Sequence, residues 1–213
     1  MAATTAPVFE RPRTRRAGAT REKILSAATG LFADAGFDGV SIDAIARRAG
    51  VQLSLIRYHF GSKEELWQAT VDAAYAEVDR IFAAALPKLA TLSGHDRLRG
   101  WLRVYMRTLI EVPTYPRVNL LEGCRDTSRA RYLQERHVRR HVKVAAPFFD
   151  DPAVRDLLPP IPFERLMFML LGAAQMPVVL ARQVADLTGT DMFDDQTVER
   201  HVDDLMRLFA GAD

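Results

Sequence analysis

Two histidines, His137 and His141, lie at a spacing that can hold a metal ion. They are four residues apart, so a helix would place both side chains on one face. Three arginines between residues 136 and 140 would repel a cation, and Val138 stands where a metalloprotease helix carries a glutamate. We therefore predict no metal and no cofactor, and we interpret this helix as solvated or facing a partner.

Patterns typical of enzymes are absent from the sequence. It has no phosphate-binding glycine loop, no nucleophile elbow and no metal triad. The single cysteine, Cys124, cannot form a disulfide within the chain, which favours a reducing cytoplasm. Residues 1–18 lack the apolar stretch of a signal peptide, and the apolar run Leu166 to Ala181 is shorter than the roughly 20 residues that span a bilayer. We expect a cytoplasmic protein that is neither an enzyme nor bound to a membrane.

The positive charge is concentrated at one end of the chain. The net charge is only +2. Residues 1–63, however, carry ten Lys or Arg against five Asp or Glu. Such an asymmetry is expected for a protein with a phosphate-rich partner, although many charged stretches are only solvated faces.

Local signals indicate two helices before residue 50. Apolar residues recur at helical spacing from Ile24, behind a candidate cap at Thr20, and Gly36 ends this first helix. Ser41 is a favourable N-cap for a second, short helix, which Ala49-Gly50 closes.

The composition, 48% hydrophobic and 26% charged, is that of a globular protein of one or two domains.

Two more helices follow. The third runs from about Gln52 to Tyr58, and Gly61 breaks it. Ser62 and Glu65 then form a capping box for a long fourth helix that reaches about Ala85.

Residues Ser41 to Phe60 have the pattern of a helix-turn-helix. Two short helices joined by a tight turn need a small residue where they approach, a glycine at the turn, and apolar residues that hold the angle. The residues that meet these needs in register are Ile42, Ile45, Ala46, Gly50, Val51 and Ile56. The alternative is a helical hairpin whose basic residues only make it soluble.

With this pattern the sequence resembles the TetR/AcrR family of bacterial transcriptional regulators. The resemblance spans residues 21–66, and four segments carry it: Arg21 to Ala28, Phe32 to Gly36, Ser41 to Val51 and Tyr58 to Leu66. It implies an all-α protein, and the helical patterns along the chain indicate about nine helices. A flexible basic arm (residues 1–18) would precede a three-helix, helix-turn-helix DNA-binding head (19–64) and a helical bundle for ligand binding and dimerisation (65–213).

The resemblance also implies which residues bind double-stranded DNA. The third helix would enter the major groove, where Gln pairs with adenine and Arg with guanine, and hydroxyl groups and Lys bind phosphate. The predicted DNA-binding residues are Ser41, Gln52, Leu53, Ser54, Arg57, Tyr58, His59 and Lys63. Ser41 can instead be fully used as a helix cap.

One residue departs from the family pattern. The family often has Tyr where this chain has Arg57, so whether this side chain meets a phosphate or a base is open. The arm from Arg11 to Arg16 can lie along a minor groove, or it can be a disordered solubilising tail.

A dimer is expected because one head makes few contacts, and two heads would read a palindromic operator with half-sites about one helical turn apart. The penultimate helix, about Pro162 to Leu187, is apolar almost all round, so a second chain would help to cover it; the alternative is a monomeric core helix. The predicted interface residues are Leu166, Leu170, Ala174, Val178, Val198, Val202, Leu205 and Phe209.

The middle of the chain is rich in aromatic and sulfur-bearing residues, most of which must be core. A cavity for a small, largely apolar effector would use the same residue types with a few polar groups, and Gln175 is the best polar candidate unless it only satisfies the kink at Pro177 or pairs across a dimer. The predicted effector-binding residues are Trp101, Tyr105, Phe148, Met167, Leu171 and Gln175.

The sequence thus favours a ligand-responsive repressor that binds DNA as a homodimer. The fourth helix, which links head to body, would act as the lever. The alternative is a DNA-binding adaptor that recruits a protein partner and has no small-molecule switch. Either would associate with the nucleoid when bound to DNA.

Overall fold

The computed structural model describes residues 12–210, with side chains from residue 17 onward, and every regular element in that range is helical. The predicted all-α fold is confirmed. The helices are α1 (Pro12–Ala35), α2 (Ile42–Ala49), α3 (Leu53–Phe60), α4 (Lys63–Leu89), α5 (Gly94–Glu111), α6 (Thr114–Gly123), α7 (Ser128–Leu133), a π-helical turn (Gln134–Val138), α8 (Arg139–Asp150), α9 (Pro152–Arg155), α10 (Phe163–Val179), α11 (Ala181–Thr188) and α12 (Asp195–Ala210).

The chain divides into two compact units, which we call the head (Met1–Thr70) and the body (Val71–Asp213). In the head, α1, α2 and α3 pack on one another, and Leu66 and Trp67 in the first turns of α4 are buried. The largest fully buried head side chains are Ile24, Phe32, Ile45, Ile56, Leu66 and Trp67. This apolar centre fixes the position of α3 relative to α1 and α2.

Helix α1 begins earlier than the sequence indicated. We expected a flexible arm up to residue 18 and a helix from Thr20, but residues 12–18 are helical. Proline suits the first position of a helix, since its missing N–H would have no helical partner there, and the Ala and Arg residues that follow favour helix. Residues 1–11 of the predicted arm, and the side chains of Arg13, Arg15 and Arg16, lie outside the described residues.

The body is built around α5, α10 and α12. Leu102, Met106, Leu170, Val202 and Leu205 are almost fully buried in its main core. Helices α5 and α12 are also joined by ion pairs, one between Arg99 and Asp203 and one between Arg103 and Glu199. Helix α4 extends past the predicted end at Ala85, through Pro87, because Leu89 in its last turn is buried in the same core.

The single helix predicted for residues 162–187 is wrong. Two helices, α10 and α11, meet there at an angle of 73°. Pro177 removes the N–H that would bond to the Ala173 carbonyl and so weakens the last turn of α10, and Leu180 leaves the helical conformation. Within the described part of the chain no single helix is long and apolar enough to cross a membrane; only the bent pair α10 and α11, taken together, meets those two criteria.

Candidate functional site

The turn between α2 and α3 is held by backbone and side-chain hydrogen bonds. Ser41 Oγ accepts from the N–H of Ala44 at 3.1 Å and caps α2, as predicted. At the other end Gly50 adopts φ 65°, and the N–H groups of Gly50 and Val51 bond back to the carbonyls of Arg47 and Ala46. This is a Schellman ending, and its left-handed residue explains the glycine at the turn. The predicted helix-turn-helix is confirmed.

Helix α3 has a buried side and an exposed side. Ile56 is 1% exposed and Phe60 8% exposed, whereas Tyr58 is 78% exposed. Ser54 and Arg57 are exposed with Tyr58. These three residues are three and four positions apart, so they share one face of α3. The buried side therefore fixes which polar side chains the head presents.

The remaining residues predicted on α3 lie at its edges. Gln52 is the exposed N-cap, and its side chain makes no capping hydrogen bond. Leu53 and His59 are half-buried, and the His59 ring lies 5.0 Å from the ring of Tyr58 and 6.4 Å from that of Phe60. The His59 ring thus packs against the rings of its sequence neighbours. Gln52 lies at the N-terminal end of the exposed face.

Ser41 and Lys63 flank this face. The Ser41 hydroxyl accepts a hydrogen bond as a cap, which leaves its O–H able to donate to a phosphate. Lys63 Nζ lies 4.1 Å from the centre of the Phe37 ring, a cation–π contact that holds the ammonium at the start of α4. The predicted capping box is confirmed, because Ser62 and Glu65 exchange hydrogen bonds of 2.8 and 3.1 Å.

Sequence reasoning missed Arg21 as a basic residue beside α3. Its guanidinium lies 4.9 Å from the centre of the Phe60 ring, in the last turn of α3, and the residue is exposed. The sequence did contain an indication, because Arg21 begins the first of the four segments that resemble the family. Arg21 therefore adds a positive charge at the C-terminal end of this helix.

The predicted effector residues lie in and around the main core of the body. Trp101, Tyr105 and Met167 are buried, and Phe148, Leu171 and Gln175 are half-buried. Trp101 stacks on Tyr105 at 5.3 Å, and the Tyr105 hydroxyl lies 3.4 Å from Oε1 of Gln175. Gln175 thus pairs with a buried hydroxyl within its own chain, and the ligand role of this set remains a prediction.

A second cluster in the body, which we call the tyrosine–histidine cluster, was not predicted. It consists of Tyr75, Tyr115, Asn119, His137 and His141. The Tyr75 ring is 4.3 Å from the ring of His137, 4.8 Å from that of His141 and 5.1 Å from that of Tyr115, and its hydroxyl donates to Asn119 at 2.9 Å. No local pattern could reveal the cluster, because three separate parts of the chain supply it.

Both histidines of the cluster are paired with aspartates on α4. His137 Nε2 lies 2.7 Å from Asp72, which also accepts from the hydroxyl of Tyr132 at 2.7 Å. His141 Nε2 lies 2.9 Å from Asp79. The two aspartates are seven residues, or about two helical turns, apart on α4, and the two histidines are four residues, or about one turn, apart on the facing element. The interpretation of this helix as solvated is wrong for His137, which is 6% exposed.

The cluster is uncharged at neutral pH. Burial lowers the pKa of His137 and of His141, and in each case this effect outweighs the aspartate that favours the charged ring. Burial also raises the pKa of Tyr75 and Tyr105, and it raises the pKa of Tyr115 to about 12. The rings and hydroxyls therefore act as neutral hydrogen-bonding groups.

The predicted dimer residues need a correction. Six of them, Leu166, Leu170, Ala174, Val178, Val202 and Leu205, are between 0% and 7% exposed within the single chain. Val198 and Phe209 are half-buried against the same core. The stripe that we expected to meet a second chain therefore faces the body's own core, since α5 already covers it. On α10 the exposed apolar residues are instead Phe168 and Met169, with 68% and 51% exposure.

Both the head and the whole chain are similar to known proteins. Residues 24–70 match the model described as bacterial regulatory proteins, tetR family. Over 200 residues the chain is 26% identical to the HTH-type transcriptional regulator RutR of Escherichia coli (strain K12), covering 92% of this chain and 91% of RutR. IcaR of Staphylococcus aureus (strain Newman), a negative transcriptional regulator of the biofilm operon icaADBC, is 30% identical over 61 residues, which are 29% of this chain and 33% of IcaR.

Solved structures share the fold. A TetR family transcription regulator from Marinobacter aquaeolei VT8 superposes with a TM-score of 0.64 at 22% identity, covering 92% of this chain and 98% of that one. HlyIIR, a hemolysin II transcriptional regulator, superposes with a TM-score of 0.64 at 18% identity, covering 88% and 97%. The helix-turn-helix geometry and the family match identify residues 24–70 as a head of the tetR family of bacterial regulatory proteins, while over nearly its whole length the chain is similar to the regulator RutR and shares the all-helical fold of the solved structures.

Proposed function

We propose that the chain is a transcriptional repressor that binds a palindromic operator as a homodimer and releases it when a small effector enters the body. The observation that carries this proposal is the exposed face of α3. Ile56 and Phe60 fix the helix in the head core, and Ser54, Arg57 and Tyr58 are turned to solvent on the other side. The IcaR relative, described as a negative regulator, favours repression.

The exposed face of α3 has the chemistry of a major-groove reader. Gln52 stands at the N-terminal end, where side chains of a recognition helix contact base edges, and a Gln amide pairs with adenine. Arg57, one turn further than Ser54, offers two parallel donors to a guanine. Tyr58 and Ser54 supply hydroxyl groups for phosphate oxygens, and Leu53 can touch a thymine methyl.

Groups around α3 would set its register on the DNA backbone. Ser41 retains an O–H donor, Lys63 is held at the start of α4, and Arg21 lies at the end of α3. Contacts with phosphate carry no sequence information but supply much of the affinity. His59, which packs between Tyr58 and Phe60, would act mainly by fixing the Tyr58 ring.

A homodimer would use the outward face of α10. Phe168 and Met169 are exposed there, and Gly172 and Met176 continue the same face half-exposed. Large apolar side chains in one patch of a soluble protein mark an interface. Leu208 of α12, which is 72% exposed, is a further candidate for this surface.

Effector control would act through α4. This helix begins in the head at Lys63, and in the body its residues Tyr75, Asp72 and Asp79 hold the tyrosine–histidine cluster. An effector shifts DNA binding only if it binds two arrangements of the protein with different affinity. A ligand beside Tyr75 would favour one arrangement of α4 against α7 and α8.

Selection of bound fragments from random DNA tests the proposal. We expect the purified chain to enrich a palindromic motif, and a labelled duplex of that motif to bind with lower affinity to the variant Gln52→Ala. The control is Arg155→Ala, which removes a positive charge from α9 and should bind as the unmodified chain does. Recovery of sequences without a shared motif would contradict the proposal.

A further inference from the structure

His137 has a buried nitrogen without a hydrogen-bond partner. Its Nδ1 is inaccessible to solvent and makes no hydrogen bond to any described residue. The other nitrogen, Nε2, lies 2.7 Å from Oδ1 of Asp72. An ionised carboxylate can only accept, so Nε2 carries the proton, and Nδ1 of the neutral ring is a bare acceptor. Native proteins rarely leave such an atom unsatisfied unless a ligand or a water completes it.

The position of this nitrogen is set by an unusual piece of backbone. His137 lies in the π-helical turn Gln134–Val138, which joins α7 to α8. Short π turns inside helices are rare, and they occur frequently at functional sites. Here the turn lies where the His137 ring stacks on Tyr75 and faces the edge of Tyr132 at 6.0 Å.

The groups around His137 are suited to an uncharged molecule. Asp72 accepts hydrogen bonds from His137, Tyr132 and Arg136. Asp79 likewise accepts from His141 and Arg140. The two nearby carboxylates are thus already paired with hydrogen-bond donors of the protein. The tyrosine–histidine cluster adds only neutral rings, hydroxyls and an amide. A charged ligand would lose its hydration there without gaining an opposite charge.

We propose that the effector is a small uncharged molecule whose N–H or O–H donates to Nδ1 of His137, beside the Tyr75 ring. This inference rests on the proposed function, in which the body binds an effector. It replaces the largely apolar ligand that the sequence suggested with a hydrogen-bond donor. It also places the ligand at the tyrosine–histidine cluster, next to the predicted pair Tyr105 and Gln175.

The same ring would pass the binding event to α4. A donor on Nδ1 withdraws electron density from the imidazole and makes the N–H at Nε2 a stronger donor to Asp72. The ligand would therefore tighten the link between the π turn and α4. Among the described residues of the cluster, His137 is the one whose first nitrogen is paired with α4 and whose second is buried without a hydrogen-bond partner.

Phenol is a suitable probe, because it is neutral and carries one O–H donor on a ring. Anisole has the same ring but no donor, and benzoate has a ring with a negative charge. Titrations of the full chain by calorimetry should give an affinity for phenol at least tenfold higher than for anisole or benzoate. In an ¹H–¹⁵N spectrum of the imidazoles, phenol should move the Nδ1 resonance of His137.

Two substitutions of His137 distinguish the roles of its two ring nitrogens. His137→Gln keeps a polar group near the Nε2 position and loses the Nδ1 acceptor, so it should lose phenol binding at least tenfold. His137→Asn keeps an acceptor near the Nδ1 position and should retain more of the binding. His201→Gln is the control, since His201 on α12 also has a buried nitrogen without a partner and lies outside the cluster.

Equal affinity for phenol and anisole, or an unmoved Nδ1 resonance, would overturn the inference, and both results are obtained on the unmodified chain. Operator binding measured on the same samples separates this inference from the proposed function. A chain that binds its operator but not phenol refutes only the ligand class. A chain that binds phenol through His137 but no DNA refutes the repressor and leaves the ligand site standing.

Discussion

Ser54, Arg57 and Tyr58 share one face of α3, and they differ in what they can recognise. A hydroxyl can bind any phosphate or several bases, whereas a guanidinium with two parallel donors distinguishes guanine from the other bases. Arg57 is exposed, in the second turn of α3, and stands where the family often has tyrosine. The base preference of this head should therefore differ from that of relatives with the aromatic residue.

We expect Arg57→Ala to weaken binding to the selected operator by about 1–3 kcal/mol, or roughly fivefold to 150-fold, and to relax the preference at one base pair. Arg57→Lys should not restore it, because an ammonium cannot make two parallel hydrogen bonds. The measurement is fluorescence anisotropy on a set of duplexes that differ at single positions. Full rescue by lysine, with an equal loss on all duplexes, would instead assign Arg57 to a phosphate.

The two buried histidines make stability depend on pH. Their pKa values are lowered from 6.5 chiefly by burial, so the unfolded chain binds protons more readily than the folded one. The groups that face them are Asp72, Asp79, Arg136 and Arg140. Stability should be complete above pH 6.5 and should fall as the pH drops below that value.

Thermal melts between pH 7.5 and 5 test this expectation. The double variant His137→Gln and His141→Gln should show a smaller fall in Tm over this range than the unmodified chain. If both melt with the same pH dependence, the histidines are not the groups that respond. His201→Gln provides the matched control for loss of a histidine.

At the scale of elements, sequence and structure agree where the signals are local. Ser41, Gly50 and the pair Ser62 and Glu65 act on the backbone within a few residues, and the structure places each as expected. The break after α10 depends on how Pro177 and Leu180 settle against neighbouring helices. The sequence alone shows the proline but does not show that the helix ends and the chain bends there.

The directions of helix faces were harder to predict than the helices. Helix α10 is apolar almost all round, so periodicity could not show which side meets α5 and α12 and which side is free. The tyrosine–histidine cluster depends on Asp72, Tyr75, Asn119 and His137, which come from three elements. Their proximity follows only from tertiary structure, whereas the spacing of the histidines alone indicated a solvated or partner-facing helix.

The turn of the helix-turn-helix can be tested with two glycine substitutions. Gly50 has φ 65°, and a Cβ there would meet no heavy atom within 4 Å, so Gly50→Ala should cost only the strain of the left-handed conformation, about 1–2 kcal/mol. Gly18 lies within α1 and is equally unobstructed. Gly18→Ala should instead stabilise the head by about 0.5–1 kcal/mol.

Urea unfolding followed by tryptophan fluorescence measures both changes. The background Trp101→Phe leaves Trp67 as the reporter of the head. Opposite signs for the two Gly→Ala changes are expected. A loss of the same size at both positions would show that the conformation of Gly50 is not what the turn requires.

At the scale of the whole molecule, operator recognition depends on how many heads act together. One α3 reaches only a few base pairs, and a second head about one helical turn away, roughly 34–36 Å, multiplies the specificity. In the proposed homodimer, the surface that joins the two chains must be apolar and not already used by the core. Phe168 and Met169 meet both conditions, whereas Leu166 and Leu170 are already buried in the core of the body.

Phe168→Asp should therefore convert a dimer into a monomer, because a carboxylate in a closed apolar interface would be desolvated without a partner. Light scattering after size exclusion measures the mass, and operator affinity should fall by at least tenfold in the same variant. Val144→Asp, on α8 with 66% exposure, is the matched control and should leave both unchanged. If Phe168→Asp remains a dimer, this face of α10 is free for another protein, and the adaptor function becomes the better interpretation of the exposed residues.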